Sequence, residues 1–144
     1  MSEKHDIDGW KELIDTVKAL GFSPEQSDAV WRCCAVVLLL GQLEYDKNSF
    51  ANVDNNTPGK IKNEDIIPKI CELLGMKNKD FFAKILVQAR SIAGKETLWK
   101  ANTLKKATDN KDALAKQLFN NLFDWLVIMM NRTIEPADVN DDGF

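Results

Sequence analysis

Histidine is almost missing from this sequence, with one residue, His5, among 144. His5 stands in a polar N-terminal stretch that we expect to fray, outside the body of the domain. A two-histidine metal site, a Ser-His-Asp triad and a Cys-His pair would therefore lack a ligand or a base. We expect no metal site and no catalytic relay in this chain.

A phosphate-binding loop of the form Gly-x-x-x-x-Gly-Lys-Ser/Thr is also missing. Each of the two Gly-Lys pairs, at Gly59 and Gly94, is followed by a residue without the hydroxyl group that would hold magnesium. We expect that this segment binds no cofactor and that the chain alone is not an enzyme.

Neither an excess of positive charge nor a long apolar run is present. Lysine and arginine number 19 against 22 acidic residues, a net charge of −3, which excludes a generally basic nucleic-acid-binding domain. The apolar run at residues 35–40 is far shorter than the roughly 18 to 20 residues of a membrane span, and the polar N-terminus is unlike a secretory signal. The odd number of cysteines, with Cys33 and Cys34 adjacent, indicates reduced thiols in a cytosolic chain.

What the sequence does contain is apolar residues at helical spacing. The first predicted helix covers residues 6–20, and Gly21 is placed to end it. A second helix starts at Ser23, whose hydroxyl can accept from the Gln26 amide while the Gln26 side chain reaches back, as in a capping box. From residue 29 to residue 40 this helix is apolar nearly all round, which predicts a central helix buried on all sides.

Three further helices are predicted. One covers residues 63–74, with Pro68 able to delay its start, and a short one covers residues 78–88. The last covers residues 104–131, which at 1.5 Å per residue is ~42 Å, longer than one small core can cover. Because its second half, residues 119–130, is apolar on several faces, a chain this short cannot bury it alone.

Two segments between the helices stand out. Residues 46–62 are rich in asparagine and aspartate with almost no apolar anchors, and they predict a surface loop after a short strand at residues 43–45. Residues 90–100 place two strand-forming stretches around Gly94 and predict a protruding hairpin. The predicted fold is therefore mainly α, with about five helices, one long C-terminal helix and a small β-hairpin.

Three stretches of the sequence carry a resemblance to a known family. Residues 20–41 contain a helix that ends in a leucine-rich Leu-Gly turn, and residues 112–116 read Asp-Ala-Leu-Ala-Lys. Residues 122–127 read Leu-Phe-Asp-Trp-Leu-Val and continue to Asn-Arg-Thr-Ile at residues 131–134. In this order and spacing they resemble the myosin motor domain over residues 6–136, nearly the whole chain.

The resemblance implies a location within a larger P-loop motor fold. It places the chain between the two nucleotide switch segments, in the upper lobe of the actin-binding cleft, with residues 1–136 as the motor-like segment and residues 137–144 as an acidic, disordered tail. ATP and magnesium then belong to the parent motor, an actin-activated ATPase of the cytoskeleton. The implied partners are the actin filament and the remaining lobes of the same motor, with no nucleic acid and no membrane span, in a cytoplasmic, cytoskeleton-associated setting.

The resemblance also implies site residues. The hairpin matches the actin-facing loop before the long helix, and sixteen residues before Asp112 (112 − 96 = 16) stands Glu96. The family has an acidic residue or a phosphorylated Ser or Thr at this position, so Glu96 implies a motor that needs no phosphate there. Ionic contacts to actin are implied for the hairpin residues Arg90, Lys95, Glu96 and Lys100 and, more weakly, for Lys60 and Lys62 in the preceding loop.

Two departures and two alternatives accompany the resemblance. Residues 39–42 read Leu-Leu-Gly-Gln where many members have His-Leu-Gly-Asn, and Trp99 is expected to be a large exposed aromatic in an unusual place. The charges around Glu96 could form an ordinary solvated hairpin tip. The whole chain could instead be a free-standing helical protein-interaction module, derived from a motor and without ATPase activity. Such a module should cover the apolar half of its own last helix, whereas a motor segment should leave an apolar stripe exposed.

Overall fold

A computed structural model of the chain describes residues 3–134, and these form five α-helices and two small antiparallel sheets. The helices are α1 (Glu3–Ala19), α2 (Pro24–Gln42), α3 (Ile66–Leu74), α4 (Lys79–Ile85) and α5 (Leu104–Ile134). Strands β1 (Tyr45–Asp46) and β2 (Lys60–Ile61) form one sheet, and β3 (Gln88–Ala93) and β4 (Glu96–Ala101) form the other. The predicted mainly α fold with a long last helix and a hairpin is confirmed. The predicted tail at residues 137–144 lies outside the described residues.

The chain divides into two compact units. Unit 2 comprises Arg32–Phe119, and of the described residues unit 1 comprises 3–31 together with 120–134. Helices α2 and α5 each contribute residues to both units. No helix within residues 3–134 combines the length and the hydrophobicity that crossing a bilayer requires.

Unit 2 holds a well-developed apolar core. Phe82 and Ile70 are at most 2% exposed, and each buried side chain of this size contributes roughly 1.5–3 kcal/mol through its removal from water. The core draws on α2, the β1–β2 sheet, α3, α4 and the first turn of α5. Its other members include Val36, Leu40, Tyr45, Ile61, Ile66, Ile67, Leu86 and Ala107.

The ends of the helices follow local signals in the sequence. The predicted capping box is confirmed, because the Gln26 amide donates to Ser23 Oγ over 3.1 Å and the Ser23 amide donates to Gln26 Oε1 over 2.9 Å. Gly75 ends α3 with a φ of 71°, and the Asn78 side chain caps α4 by accepting from the Phe81 amide.

Helix α3 begins at Ile66, three residues later than predicted. Asn63, the predicted first residue, is engaged elsewhere. Its amide side chain accepts from the Glu44 amide over 2.8 Å and donates to the Gln42 carbonyl over 2.9 Å. Asn63 therefore ties the segment before α3 to the end of α2, while Pro68 falls in the first turn of the helix, where it is tolerated.

Helix α2 is not buried on all sides, so that prediction is wrong. Val36 and Leu40, one turn apart, are fully buried, but Leu38 on another side is 68% exposed. The error has a simple physical origin, because apolar composition reports what a helix can bury and not whether enough protein is present to cover it.

Unit 1 is held by aromatic pairs. The rings of Trp10 and Trp31 lie 4.7 Å apart, and Phe22 stacks on Trp125 at 5.8 Å with an interplanar angle of 24°. Thr133 Oγ1 lies 3.2 Å from the Leu20 carbonyl, to which it can donate. No residue of α1 is buried.

Candidate functional site: the hairpin and its surroundings

The hairpin β3–β4 is the most exposed regular element of unit 2. Its register pairs Gln88 with Ala101 at one end and Ala93 with Glu96 at the other, so the turn consists of Gly94 and Lys95. Gly94 has a φ of 66°, a left-handed conformation that tight hairpin turns require and glycine adopts without strain. Every residue from 90 to 98 is exposed to solvent.

The register sorts the hairpin side chains onto two faces, because directly opposed residues of an antiparallel pair share a face. Arg90 opposes Trp99, and the inner face includes Gln88, Arg90, Ile92 and Trp99. The outer face includes Glu96, Leu98 and Lys100 of β4. Of the predicted contact residues, Glu96 and Lys100 thus lie together, Lys95 lies in the turn, and Arg90 lies on the other face.

Two exposed apolar side chains near the turn were missed by reasoning from the sequence. Ile92 is 69% exposed on the inner face and Leu98 is 51% exposed on the outer face. The period-2 alternation of β4, which places Leu98 between Glu96 and Lys100, was the available signal. The hairpin therefore offers apolar as well as ionic contacts.

The root of the hairpin is fixed by a buried tyrosine. The Tyr45 hydroxyl lies 3.0 Å from the Leu86 carbonyl at the end of α4 and 3.2 Å from the Ala107 carbonyl in α5, and its proton is shared between them. Burial, and secondarily the charge of Asp112, raises the pKa of Tyr45 to about 12. Because Leu86 and Ala107 flank the two ends of the hairpin, Tyr45 anchors both of them.

Backbone bonds complete the root. The Asn102 amide donates to the Val87 carbonyl over 3.0 Å and continues the ladder beyond the last strand pair. The Asn102 side chain is buried, and its Nδ2 group has no hydrogen-bond partner among the described residues.

The segment between β1 and β2 is more ordered than the predicted surface loop. Its residues 47–50 form a 3₁₀-helix, and Phe50 is buried with its ring edge against Tyr45 at 5.6 Å. Gly59 lies so close to Phe50 that an added Cβ would overlap the ring. The expectation of almost no apolar anchors is therefore wrong, because Phe50 fastens this segment to the core.

This segment also contacts the hairpin root. Asn55 Oδ1 accepts from the Ala101 amide over 3.3 Å. Lys60 and Lys62 are both exposed, and the Lys62 ammonium lies 3.5 Å from the Glu44 carboxylate. Since both partners of that ion pair are mostly exposed, it holds Lys62 only weakly.

The exposure of Trp99 differs from the one predicted. It is half-buried and not exposed, because its ring meets the edge of Phe81 at 5.9 Å and an angle of 77°. The Lys84 ammonium lies over the same ring, 4.2 Å from its centroid. An aromatic pair of this kind contributes about 0.5–1.5 kcal/mol and an exposed cation–π contact about 0.5–1 kcal/mol. The prediction failed because the neighbour of Trp99 is a helix far enough away in sequence that no local pattern reports it.

A comparison with protein families decides to which family the chain belongs. The sequence model of the family described as myosin head (motor domain) matches residues 2–143 of this chain. The chain belongs to the myosin head family. Its similarity extends to individual myosins: it is 33% identical to unconventional myosin-Id of Canis lupus familiaris and 34% identical to that of Mus musculus, each over 134 residues and 93% of the chain.

A more distant myosin gives the same result. Myosin-1 of Saccharomyces cerevisiae is 30% identical over 131 residues, or 91% of the chain. The chain spans 12% of the length of each of the two myosin-Id proteins and 6% of the yeast protein. It is therefore a myosin motor-head segment, and the resemblance stated from its motifs is confirmed.

Proposed function

We propose that this chain is the actin-facing segment of an ATP-driven myosin motor and that the hairpin β3–β4 is its principal contact with the filament. The observation that carries the proposal is the exposure of every hairpin residue from 90 to 98 in a chain matched by the myosin head family. A rigid root with a solvated tip suits docking to a partner, since the tip can be buried without unfolding the segment that holds it.

Charge on the hairpin supports this role. Within residues 3–134, none of Arg90, Lys95, Glu96 and Lys100 forms an ion pair, so their charges are available to a partner. Such charges steer association and set its specificity. Glu96 supplies the permanent negative charge at the position where the family otherwise uses phosphorylation.

A second contact is proposed at Lys60 and Lys62. Lys60 begins β2 and Lys62 follows that strand, directly after the segment that reaches the hairpin root through Asn55. The Asn55 contact keeps this segment beside the hairpin.

The parent motor is proposed to bind ATP and magnesium outside this chain. Gly59 precedes a strand and lies against the Phe50 ring, and Gly94 opens a hairpin turn. Neither glycine leads into a helix N-terminus, which is where a phosphate loop places its anion. These two positions do not support nucleotide binding by this segment, and we propose that its role in turnover is mechanical.

The mechanical role is proposed for α2 and α5. Each of the two helices contributes a fully buried side chain to the core of unit 2, Leu40 from α2 and Ala107 from α5. Nucleotide chemistry elsewhere in the motor would move these helices as a stiff body and so open or close the actin cleft, making or breaking the hairpin contacts.

Exposed apolar side chains favour the motor segment over a free-standing interaction module. Phe119, Phe123 and Ile128 of α5 are 50–58% exposed, and Ile7, Trp10 and Leu13 of α1 are 46–48% exposed. A self-sufficient module would be expected to cover such side chains. The remaining lobes of the same motor are the partners proposed for them, in a cytoplasmic, cytoskeleton-associated protein.

The experiment that tests the hairpin role changes Glu96 in a motor head that carries this segment. Glu96→Lys should lower actin-stimulated ATPase by about tenfold while basal ATPase stays unchanged, because the charge at the filament contact is reversed. Glu72→Lys is the matched control, since Glu72 is an exposed acid on α3 of the same unit. Equal actin stimulation in the two variants would contradict the proposal.

A further inference from the structure

The inner face of the hairpin is covered progressively from tip to root. Ile92 near the turn is 69% exposed, Trp99 is half-buried, and Gln88 at the root is 7% exposed. The boundary between the exposed tip and the covered root falls at the pair Arg90–Trp99, because residues 90–98 are all exposed and Trp99 is half-buried. Trp99 is thus the covered side chain that lies farthest from the root along β4.

What covers Trp99 is a single face of α4. Phe81 and Lys84 are three residues apart on this helix and therefore lie on the same side of it. The Phe81 ring meets the indole edge to face at 5.9 Å, and the Lys84 ammonium lies 4.2 Å from the indole centroid. The backbone of Phe81 is tied to the N-terminal cap of α4, because its amide donates to the side chain of Asn78 over 2.9 Å.

Lys84 forms no ion pair in the part of the chain that the structure describes. No carboxylate of residues 3–134 forms an ion pair with its ammonium, so the indole face is the electron-rich group it meets. The contact therefore joins the hairpin to α4 from one side of the hairpin only, and the outer face of Glu96, Leu98 and Lys100 stays uncovered.

We propose that Trp99 is a positioning residue: held by Phe81 and Lys84, its indole fixes the hairpin against α4 so that the outer face is presented to the filament. That the outer face is presented to the filament rests on the function proposed above. That Trp99 fixes the hairpin against α4 does not, because it is a property of the chain by itself. A hairpin released from α4 would spend only a fraction of its time in the binding orientation, and its apparent affinity would fall by that fraction.

The first test measures the fixing in the 144-residue chain without any partner. Hydrogen–deuterium exchange of the β3 and β4 amides should be about tenfold faster in Trp99→Ala, which loses both contacts, and should rise less in Trp99→Phe, which keeps an aromatic ring. Lys84→Met, which keeps the apolar stem, should accelerate exchange, whereas the matched control Lys77→Met, an exposed lysine just before α4, should not. Wild-type exchange rates in both Trp99 variants would overturn the proposal.

The second test measures presentation with filamentous actin and a motor head that carries this segment. Trp99→Ala should weaken actin affinity by about tenfold, with Trp99→Phe in between and basal ATPase unchanged. If Glu96→Lys weakens binding but Trp99→Ala does not, the positioning role is overturned while the hairpin contact stands. If Glu96→Lys has no effect, the filament contact itself fails, and the fixing of the hairpin is then decided by the exchange rates alone.

Discussion

The two units of this chain differ in how completely their helices bury apolar residues. In unit 2, Ile70, Phe82 and Leu40 are at most 2% exposed and belong to one continuous core. In unit 1, α1 buries no residue, and Trp10 is 47% exposed although its ring meets Trp31. Unit 2 therefore has the interior of an independent fold. Unit 1 leaves the apolar side chains of Ile7, Trp10 and Leu13 in α1 46–48% exposed.

The largest expected difference between the units comes from truncating an apolar side chain. Ile70→Ala should lower the free energy of unfolding by about 2–5 kcal/mol, because it leaves a cavity in a filled core. Leu13→Ala, at a side chain 46% exposed, should lower it by less than about 1 kcal/mol. Urea unfolding of the whole chain measures both. Equal losses would contradict the comparison.

A methyl group added at glycine should act in opposite directions in the two units. Gly59→Ala in unit 2 should destabilise by about 1–3 kcal/mol, because the new Cβ overlaps the buried Phe50 ring. Gly9→Ala in the exposed interior of α1 should stabilise by about 0.5–1 kcal/mol, since nothing lies within 4 Å of its Cβ and alanine favours the helix. Thermal denaturation of the two variants tests the pair, and a stable Gly59→Ala protein would be the contrary result.

A smaller expected effect is the loss of stability at alkaline pH that the ionisation of Tyr45 causes in unit 2. Tyr45 in unit 2 is the single tyrosine of the chain, so absorbance near 295 nm reports its ionisation alone. Its pKa should be about 12 in the folded chain and about 10 in the unfolded chain. The unfolded chain then loses the proton first, so Tyr45 leaves stability unchanged below pH 10 and lowers it between pH 10 and 12, by at most about 1.4 kcal/mol per pH unit.

Tyr45→Phe is the control for this titration. The variant lacks the ionisable group, so its stability should fall less steeply between pH 10 and 12 than that of the wild type, although it also loses the bonds to Leu86 and Ala107. A folded-state pKa near 10 would mean that the hydroxyl is open to water and does not anchor the hairpin root.

Features with a local cause were predictable from the sequence. The capping box at Ser23, the glycine that ends α3 and the turn at Gly94 each depend on a few neighbouring residues whose chemistry allows little else. The candidate residue Glu96, by contrast, was implied by the resemblance to the myosin motor domain, in which the position sixteen residues before Asp112 is the one that matters. The structure adds that Glu96 is exposed and shares a face with Lys100.

Features with a distant cause were not predictable. The partners of Tyr45 lie 41 and 62 residues away, and Trp99 is covered by α4, which no periodicity in β4 could reveal. Leu38 is exposed because no other part of the described chain packs on its side of α2, and the apolar composition of that helix does not tell which of its sides are covered. The contacts that hold the hairpin in place therefore became visible only in the structure, whereas its charged candidate residues were named from the sequence.

The measurement that tests the central claim most directly is hydrogen–deuterium exchange of a motor head that carries this segment, with and without filamentous actin. The account predicts that the amides of residues 90–100 become protected when the filament is added, while those of Ile66–Leu74 in α3 keep their exchange rates. Unchanged exchange across the hairpin at saturating actin would contradict the claim that this segment faces the filament.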